Sequence, residues 1–510
     1  MIHASEAWVA AHNQILLPET FVEVSYGAAD EEAQSTAVPS GSEEAVFSNT
    51  ANIVDKAARS HMYATLERNL WSLNGTRSVF DTTGEPDNIG FVSESASEGA
   101  IRIDFPQVMT TLIPGITITW SSEYNEYPNS FTVTVRRGNT DVASKTVTGN
   151  TEITTSVELD MVDYDTVFIE IHDWCLPDRR FRIDRVEMGL GITFTKKELL
   201  SFTHEREGDL SSGALPKNCI KFSVDNSSGV WNPDNPQGGV KYLAERQKLI
   251  VRYGMKVDDE IEWIDGGIFY LSEWDTPSNG GEASFVARDI FEYLLNEPFP
   301  AGVTGTLESL VETAFSRSNV PEDFRYYTAG AMSTNSATTG ENLTAAQVVQ
   351  MCANAAEAVI YQDRSGALHM TPLVKENSGM AITRRMATSH PEVALSKPLR
   401  SVTVSYGEDA SYTLSVAASG ENQTIDNPFI TTEQQARNVA AVTKDALITR
   451  KIVSGEFRAD PRMDVFDIVT VESKYGDIYP VVLTGLTYKY SGSFWATYTG
   501  RVFNQEAMED

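Results

Sequence analysis

Cysteine and basic residues are scarce in this chain of 510 residues, and each shortage excludes a class of protein. The three cysteines, Cys175, Cys219 and Cys352, are far apart, so they form no metal-binding spacing. They predict buried, reduced thiols and no disulfide framework. Lysine and arginine number 40 against 71 acidic residues, which gives a net charge of −31. Because nucleic-acid affinity depends on clustered cations, we expect no specific nucleic-acid binding.

Long apolar runs are also missing from the sequence. No stretch approaches the roughly 20 apolar residues that a membrane-spanning helix needs, so we expect no membrane span. The N-terminal residues have neither a basic start nor a long apolar segment, and they predict no secretory signal. Hydrophobic residues still make up 41% of the chain, which is enough to build folded domains of about 100–200 residues each.

Recognised catalytic and cofactor motifs do not occur in the sequence. The seven histidines are scattered, and none lies in a metalloprotease motif or beside a nucleophile in a known pattern. The sequence has no Walker loop and no dinucleotide fingerprint. Acidic clusters such as the one at 258–262 are typical of solvated turns in an acidic protein. We therefore predict no catalytic residue, no metal, no cofactor and no enzymatic activity.

Residues 74–190 alternate apolar and polar side chains over several short segments that turns separate. Five such segments lie at 101–105, 116–120, 131–135, 167–171 and 182–187. Short alternating strands with frequent turns are typical of a β-sandwich, so we predict a jelly roll here. The acidic stretch 28–50 shows no periodicity and predicts an exposed loop.

The remaining segments mix strands with capped helices. Residues 266–295 predict a strand, a glycine-rich turn, a returning strand and a helix that Asp289 caps. Two later helices begin with threonine–glutamine capping pairs. The candidate pairs are Thr344 with Gln347 for the first helix, and Thr431 with Gln434 or Thr432 with Gln435 for the second. The predicted fold class is α+β and mainly β.

Three segments in a fixed order resemble the baseplate hub and tail-tip proteins of bacteriophage tails. The first is G-x-F/Y-x-L-x-x-W, a glycine turn, x-F-x-A-x-D and an apolar helix, at 266–295. The second is a helix followed by a hairpin at 358–370. The third, from 426 onwards, is N-P-F, a helix, the run D-P-x-x-x-x-x-D-x-V-x-V and a final hairpin. Residues 74–190 resemble the discoidin-like, galactose-binding jelly-roll family.

The resemblance implies β-barrel-like hub domains with an inserted β-sandwich. It divides the chain into a first hub β-domain, an inserted jelly roll, a helical and hairpin middle domain and a C-terminal hub β-domain. Their bounds are 1–73 with 191–300 for the first hub β-domain, 74–190 for the jelly roll, 301–395 for the middle domain and 396–510 for the C-terminal hub β-domain. Surface loops tolerate such insertions because the entropy of loop closure grows slowly with length.

The implied function is structural. By resemblance the chain forms a homo-oligomeric ring, a trimer, as the baseplate hub or tail tip at the distal end of a phage or prophage tail tube. Its partners would be the tail tube and distal tail proteins, and its place the virion, after synthesis in the host bacterial cytoplasm. An acidic inner wall would keep DNA from sticking. A tail-associated hydrolase has less support, because only residues 501–510 follow the closing hairpin.

The alternative function is a receptor- or carbohydrate-binding tail protein that acts through its jelly roll on a host cell-surface glycan. The candidate aromatic residues are Trp120, Tyr124, Tyr127 and Trp174. Aromatic rings stack on sugar faces, and neighbouring polar groups, here Asp173, Arg179 and Arg180, bond the hydroxyls. In the opposing interpretation these rings fill the sandwich core or a contact between subunits.

Calcium is a further ligand that the jelly roll suggests. Asp81, Glu85 and Asp87 lie close together in a turn, and carboxylates in a turn suit a hard cation. Their spacing is not that of an EF-hand loop, so the sequence predicts no defined metal site there.

Overall fold

The computed structural model describes residues 2, 4–14, 18–46, 48–55, 67, 89–96, 99–122, 124–235, 239–257, 260–277, 280–320, 325–375, 377–407 and 409–503. The chain forms two compact units. The scaffold unit comprises Met1–Ser25, Thr193–Val240 and Ala244–Asp510. The sandwich unit comprises Tyr26–Ile192 and Lys241–Leu243. The boundary at Ser25 lies within the first strand of the chain, and the boundary at Ile192 lies within the twelfth strand of the chain.

The first twelve strands extend from the N-terminal segment through the sandwich unit. They are β1 (Thr20–Ala29), β2 (Val38–Ser42), β3 (Phe91–Val92), β4 (Ala100–Met109), β5 (Ile113–Thr119), β6 (Pro128–Arg137), β7 (Thr140–Thr148), β8 (Thr154–Met161), β9 (Tyr164–Trp174), β10 (Arg182–Ile183), β11 (Arg185–Glu187) and β12 (Gly189–Phe194). Helices α1 (Glu6–His12) and α2 (Glu31–Thr36) and the 3₁₀ helix Thr50–Val54 accompany them.

Two sheets of the sandwich unit contribute to one apolar core. The larger has the order β2-β4-β9-β6-β7 and the smaller the order β11-β5-β8. Alternate residues of β4 are buried, as Ile101 and Ile103 illustrate, and Val133 and Val135 of β6 lie in the same core. The five segments with predicted alternation overlap β4, β5, β6, β9 and, for the last segment, β10 and β11. A period of two places every second side chain on the same face of a strand.

The sandwich unit begins earlier than the expected boundary at residue 74, which itself lies outside the described residues. The stretch 28–50, predicted as a loop, contains α2 and β2. Asp30 caps α2 by accepting a hydrogen bond from the Ala33 amide at 3.0 Å. β2 pairs antiparallel with β4. An edge strand with the sequence VPSGS has no apolar alternation, so its pattern did not reveal it.

The scaffold unit contains the remaining strands. They are β13 (Leu199–Glu207), β14 (Lys217–Asp225), β15 (Lys248–Val257), β16 (Glu260–Asp275), β17 (Glu282–Arg288), β18 (Pro298–Phe299), β19 (Thr304–Thr306), β20 (Arg325–Tyr327), β21 (Ser336–Thr338), β22 (Leu343–Thr344), β23 (Val359–Gln362), β24 (Leu368–Thr371), β25 (Asn377–Ile382), β26 (Glu392–Leu395), β27 (Leu399–Tyr406), β28 (Ala410–Ser415), β29 (Glu421–Ile425), β30 (Lys451–Arg458), β31 (Ile468–Glu472), β32 (Ile478–Tyr490) and β33 (Phe494–Val502).

One sheet of thirteen strands dominates the scaffold unit. Its order is β12-β1-β15-β16-β17-β14-β13-β32-β33-β30-β26, with β31 beside β32 and β25 beside β31. β13 and β32 pair antiparallel, with His204 opposite Tyr488. The segments expected to form a first and a C-terminal hub β-domain therefore share a single sheet. Sequence patterns predict several strands of this sheet but neither β13 nor its pairing with β32, because that pairing joins residues far apart in the chain.

Besides α1, four α-helices of the described residues lie in the scaffold unit: α3 (Leu307–Arg317), α4 (Ala331–Thr334), α5 (Ala345–Ala355) and α6 (Glu433–Leu447). Complete capping boxes begin α5 and α6, at Thr344/Gln347 and Thr432/Gln435. Thr432 is the N-cap of α6, which decides between the two predicted pairs. Short 3₁₀ helices occur at Gly239–Tyr242 and Ile290–Tyr293, and Asp289 caps the latter.

The fold class is mainly β with a minority of helix, as predicted. The helices α3, α5 and α6 bury their apolar faces in one core with β23, β24 and β27. Within the described part of the chain, every helix is too short or too polar to cross a membrane.

Candidate functional site

The two tryptophans proposed for sugar binding lie in the sandwich core. Trp120 is fully buried, its indole N–H donates to Thr155 Oγ1 at 2.8 Å, and its ring packs edge-on against Phe131. Trp174 is 6% exposed and stacks on Phe181 with 5.4 Å between ring centroids. Neither indole presents a face to solvent. This burial agrees with the opposing interpretation, in which the aromatic rings fill the sandwich core.

The two tyrosines of the same set are partly exposed. Tyr124 lies under the guanidinium groups of Arg182, at 4.9 Å from the ring centroid, and Arg179, at 5.8 Å. Tyr127 packs against the edge of the sandwich core. Tyr124 and Tyr127 are thus the only members of the proposed set with partly accessible rings, and carbohydrate binding stays a prediction.

The polar residues proposed to assist sugar binding have protein partners. Arg179 is buried and donates to the equally buried Glu126, which also accepts the indole N–H of Trp174 at 3.0 Å. Asp173 accepts from Asn129 Nδ2 at 2.9 Å, and Arg180 donates to the Ser93 carbonyl. The ion pair between Glu126 and Arg179 joins two loops of the sandwich unit. Removing either side chain would leave the other charge buried without a partner, which destabilises the fold.

No cluster of three or more histidine, cysteine or acidic side chains suited to a metal occurs among the residues that the structure describes. The carboxylates considered for calcium, Asp81, Glu85 and Asp87, lie outside the described residues.

The scaffold unit contains a second buried polar group of side chains, which we call the polar junction. It consists of Arg206, Gln362, Arg364, Asp464 and Tyr488. These residues come from β13, β23 and the turn after it, β32, and residues 460–471, which contain the D-P-x-x-x-x-x-D-x-V-x-V run and which we call the D-P segment. Sequence analysis had predicted neither Arg206, Gln362 nor Arg364 as important.

Two arginines of the polar junction connect distant segments of the chain. Arg206 donates to Asp464 at 2.7 Å and to the Gln362 carbonyl at 3.0 Å. Arg364 donates to the carbonyls of Asp265 and Met463, each at 2.9 Å. A guanidinium has five N–H donors in a planar fork, so one side chain can bind several carbonyls and a carboxylate at once.

Gln362 and Tyr488 complete the junction by bonding main-chain groups. The Gln362 side chain accepts from the Ile290 amide at 2.6 Å and donates to the Ile268 carbonyl at 2.9 Å. The Tyr488 hydroxyl lies 2.7 Å from the Met463 carbonyl. The junction therefore attaches the strand–turn–strand segment at 266–295, the middle hairpin and the D-P segment to one another, which are the three segments that carry the hub resemblance.

A second layer of buried polar residues lies next to the junction. His204 bonds the Tyr253 hydroxyl at 2.5 Å through Nδ1 and Asn218 Oδ1 at 2.8 Å through Nε2. Burial lowers the pKa of His204 well below its usual value, and the charge of Arg206 adds to this effect. The histidine is consequently neutral at neutral pH and serves as a hydrogen-bonding core residue.

Three aspartates near the junction have altered acidity. Burial raises the pKa of Asp289 to about 7. Burial also raises the pKa of Asp467, whose carboxylate accepts the Asp464 amide at 2.9 Å. Burial alone would raise the pKa of Asp460, but hydrogen bonds from Arg462 hold it below its usual value. Asp460 also accepts the Arg462 amide hydrogen bond at 3.1 Å, so Asp460 and Asp467 both stabilise turns of the main chain.

One signal in the sequence could have identified the junction. Phe202, His204 and Arg206 occupy alternate positions of β13, and the register of the strand directs all three side chains inward. A charged residue in phase with an apolar alternation predicts a buried, paired charge. Gln362 and Arg364 lie at the end of a hairpin, where polar residues are ordinary, and they carry no such signal.

Among the comparisons with known proteins, only the comparison with solved structures finds similar proteins. No protein-family model matches the chain, and no curated protein matches its sequence. The 43 kDa tail protein of prophage MuSo2 from Shewanella oneidensis is similar at 11% identity, covering 61% of this chain and 94% of that chain with a TM-score of 0.43. The tail protein from Neisseria meningitidis MC58 is similar at 12% identity, covering 61% and 93% with a TM-score of 0.43.

The prophage tail protein gp18 from Listeria monocytogenes EGD-e is also similar, at 11% identity, covering 60% of this chain and 91% of that chain with a TM-score of 0.40. Phage and prophage tail proteins are thus among the solved structures that this chain resembles. With identities of 11–12% and TM-scores of 0.40–0.43, the similarity to these structures carries no conclusion about function.

Proposed function

We propose that the chain is a structural component of a phage or prophage tail, and that it forms the hub or tip at the distal end of the tail tube. The order of three sequence segments supports this proposal. The polar junction supports it as well, because it joins those same segments through carbonyls, carboxylates and guanidinium groups. Such a site holds a scaffold together and orients no reactive group outward.

The observation that carries the proposal is the open edge at β26. This strand is the last in the order of the thirteen-stranded sheet and pairs only with β30 in the described part of the chain. Val393 and Leu395 lie on one face of it and are 44% and 63% exposed. An edge strand with unpaired main-chain groups and exposed apolar side chains is a template for pairing with another chain.

Ring formation would remove this edge. In a closed ring each copy covers the exposed surface of its neighbour, and closure prevents unlimited growth. The trimer is the stoichiometry that the hub resemblance implies. The net charge of −31 suits a protein whose ring surrounds the path of DNA, because an acidic wall repels phosphate.

The proposal is tested by comparing Leu395→Lys with Ile478→Lys. Both side chains are well exposed, at 63% and 67%, but Leu395 lies on the open edge strand, whereas Ile478 begins β32 and is paired there with Glu472 of β31. We expect light scattering to show a closed oligomer for the wild-type chain and for Ile478→Lys. Leu395→Lys should be a folded monomer, because charge on an edge opposes strand pairing.

Mass spectrometry of purified particles supplies the second measurement. The wild-type chain should be present in tails, and electron microscopy should place it at the distal end of the tube. A chain that stays monomeric and is missing from particles of the producing strain contradicts the tail function. Equal assembly of both lysine variants contradicts the role of β26 while leaving the tail function open to other interfaces.

A further inference from the structure

A cleft of about 270 Å³ opens in the scaffold unit. One wall is α6, and the others are the segments that follow β24 and β33 together with part of β32. Its apolar lining includes Leu373, Val442, Ala446, Val482 and Phe503. Concave apolar surfaces with a few polar groups are the usual form of a binding site.

Arg501 lies in this cleft and is half-buried. Its guanidinium donates to the Thr449 carbonyl at 2.6 Å and to Ser396 Oγ at 3.4 Å. No carboxylate of the described residues lies within ion-pair distance of it. Burial lowers the pKa of Arg501, and no neighbouring acid offsets that effect. A half-buried cation whose hydrogen-bond partners are all neutral is stabilised when a ligand places an anion beside it.

The other cation of the described lining has a carboxylate partner, and the acid Glu357 has a neutral one. Lys375 forms an ion pair with Asp445 at 3.9 Å. Burial raises the pKa of Glu357, and a hydrogen bond with Asn438 works against this rise. Arg501 is therefore the cation of the described lining that has no carboxylate partner.

We propose that this cleft binds the C-terminal residue of a partner protein, with an apolar side chain against the cleft walls and the α-carboxylate on Arg501. In a C-terminal residue the side chain and the α-carboxylate are both attached to the Cα atom. An apolar cavity of about 150 Å³ holds benzene, so this cleft has room for roughly ten heavy atoms, which is one large apolar residue. Arginine binds carboxylates in a bidentate manner, which selects a terminus over an internal carbonyl. The proposal does not depend on β26 or on the tail function.

The test uses the full chain and a fluorescently labelled pentapeptide that ends in leucine, measured by fluorescence anisotropy. One peptide has a free C-terminal carboxylate and the other a C-terminal amide. We expect the free acid to bind about tenfold more tightly than the amide, as one charge-assisted contact provides. Arg501→Gln should bring the ratio of the two affinities to about one. Arg317→Gln is the control, because Arg317 is exposed on α3 and has no ion-pair partner among the described residues.

A second variant tests the apolar part of the cleft without altering the cation. Ala446→Phe fills the cleft, so a peptide ending in leucine should lose its advantage over one ending in glycine. The ratio of affinities is read in each case, because it does not depend on the fraction of folded protein. Equal binding of acid and amide by the wild-type chain overturns the proposal. So does an unchanged ratio in Arg501→Gln, or binding of decanoate with no binding of either peptide.

Discussion

The two units of this chain bury charge in different ways. In the sandwich unit, Glu126 and Arg179 pair across only 53 residues, and they lie beside an aromatic core built from alternating strands. In the scaffold unit, Arg206 pairs with Asp464 across 258 residues and with the Gln362 carbonyl across 156. The first pair joins neighbouring loops, whereas the second joins the beginning, middle and end of the unit.

The difference explains why local patterns predict individual strands but not how the segments of the scaffold unit assemble. A sandwich core follows from the period of two, which each strand displays by itself. A junction between distant segments depends on which strands meet, and no single strand displays that. We infer that the polar junction specifies how the segments of the scaffold unit assemble, because a misaligned partner would leave a buried charge unpaired.

The largest effect on this comparison is expected from Trp174→Ala in the sandwich unit. The change removes a buried indole and one donor to Glu126, so the free energy of unfolding should fall by about 5 kcal/mol. Urea denaturation followed by circular dichroism measures the loss. Trp274→Ala, at a position that is 36% exposed, is the control and should change stability by less than about 1 kcal/mol.

Cell-wall binding by the same variant decides the role of the aromatic residues. If the core interpretation holds, wild type and Trp174→Ala bind host cell walls equally or not at all. Normal stability in Trp174→Ala together with lost binding would favour the carbohydrate site and contradict the core role.

The next effect concerns the acidity of the scaffold core. Asp289 has a pKa of about 7 in the folded chain against an ordinary value of 3.8. Between these two values the folded state keeps a proton that the unfolded state has lost, so this residue makes stability fall as pH rises from about 4 to 7. Below that range both states are protonated, and above it the loss is complete.

Asp289→Asn tests this linkage because asparagine does not titrate and can still accept the Phe291 amide hydrogen bond. The variant should match wild type near pH 4 and be more stable by up to about 4 kcal/mol at pH 8. Chemical denaturation across this range measures the difference. A gap between variant and wild type that does not change with pH would show that Asp289 has an ordinary pKa.

A smaller loss is expected from Arg206→Met, which breaks the polar junction. The change leaves Asp464 without its closest cation, although Arg364 remains 3.6 Å away, so unfolding should become easier by about 2–3 kcal/mol. Adding Asp464→Asn should recover part of the loss, because no buried carboxylate then lacks a partner. If the double variant is as unstable as the two single losses summed, the two side chains do not interact.

The amino-acid sequence by itself determined the local structure of this protein. It predicted the alternating strands of the sandwich, the caps at Thr344 and Thr432, and the mainly β class, because these depend on neighbours two to four residues away. It also located the aromatic residues of the sandwich but left open whether Trp120 and Trp174 are buried in its core. Only the tertiary structure decided that burial, the pairing of β13 with β32 and the convergence of Arg206, Gln362 and Asp464. The pairing of β13 with β32 and the contact of Arg206 with Gln362 bring together segments that are 156 or more residues apart, and a local sequence pattern does not encode such contacts.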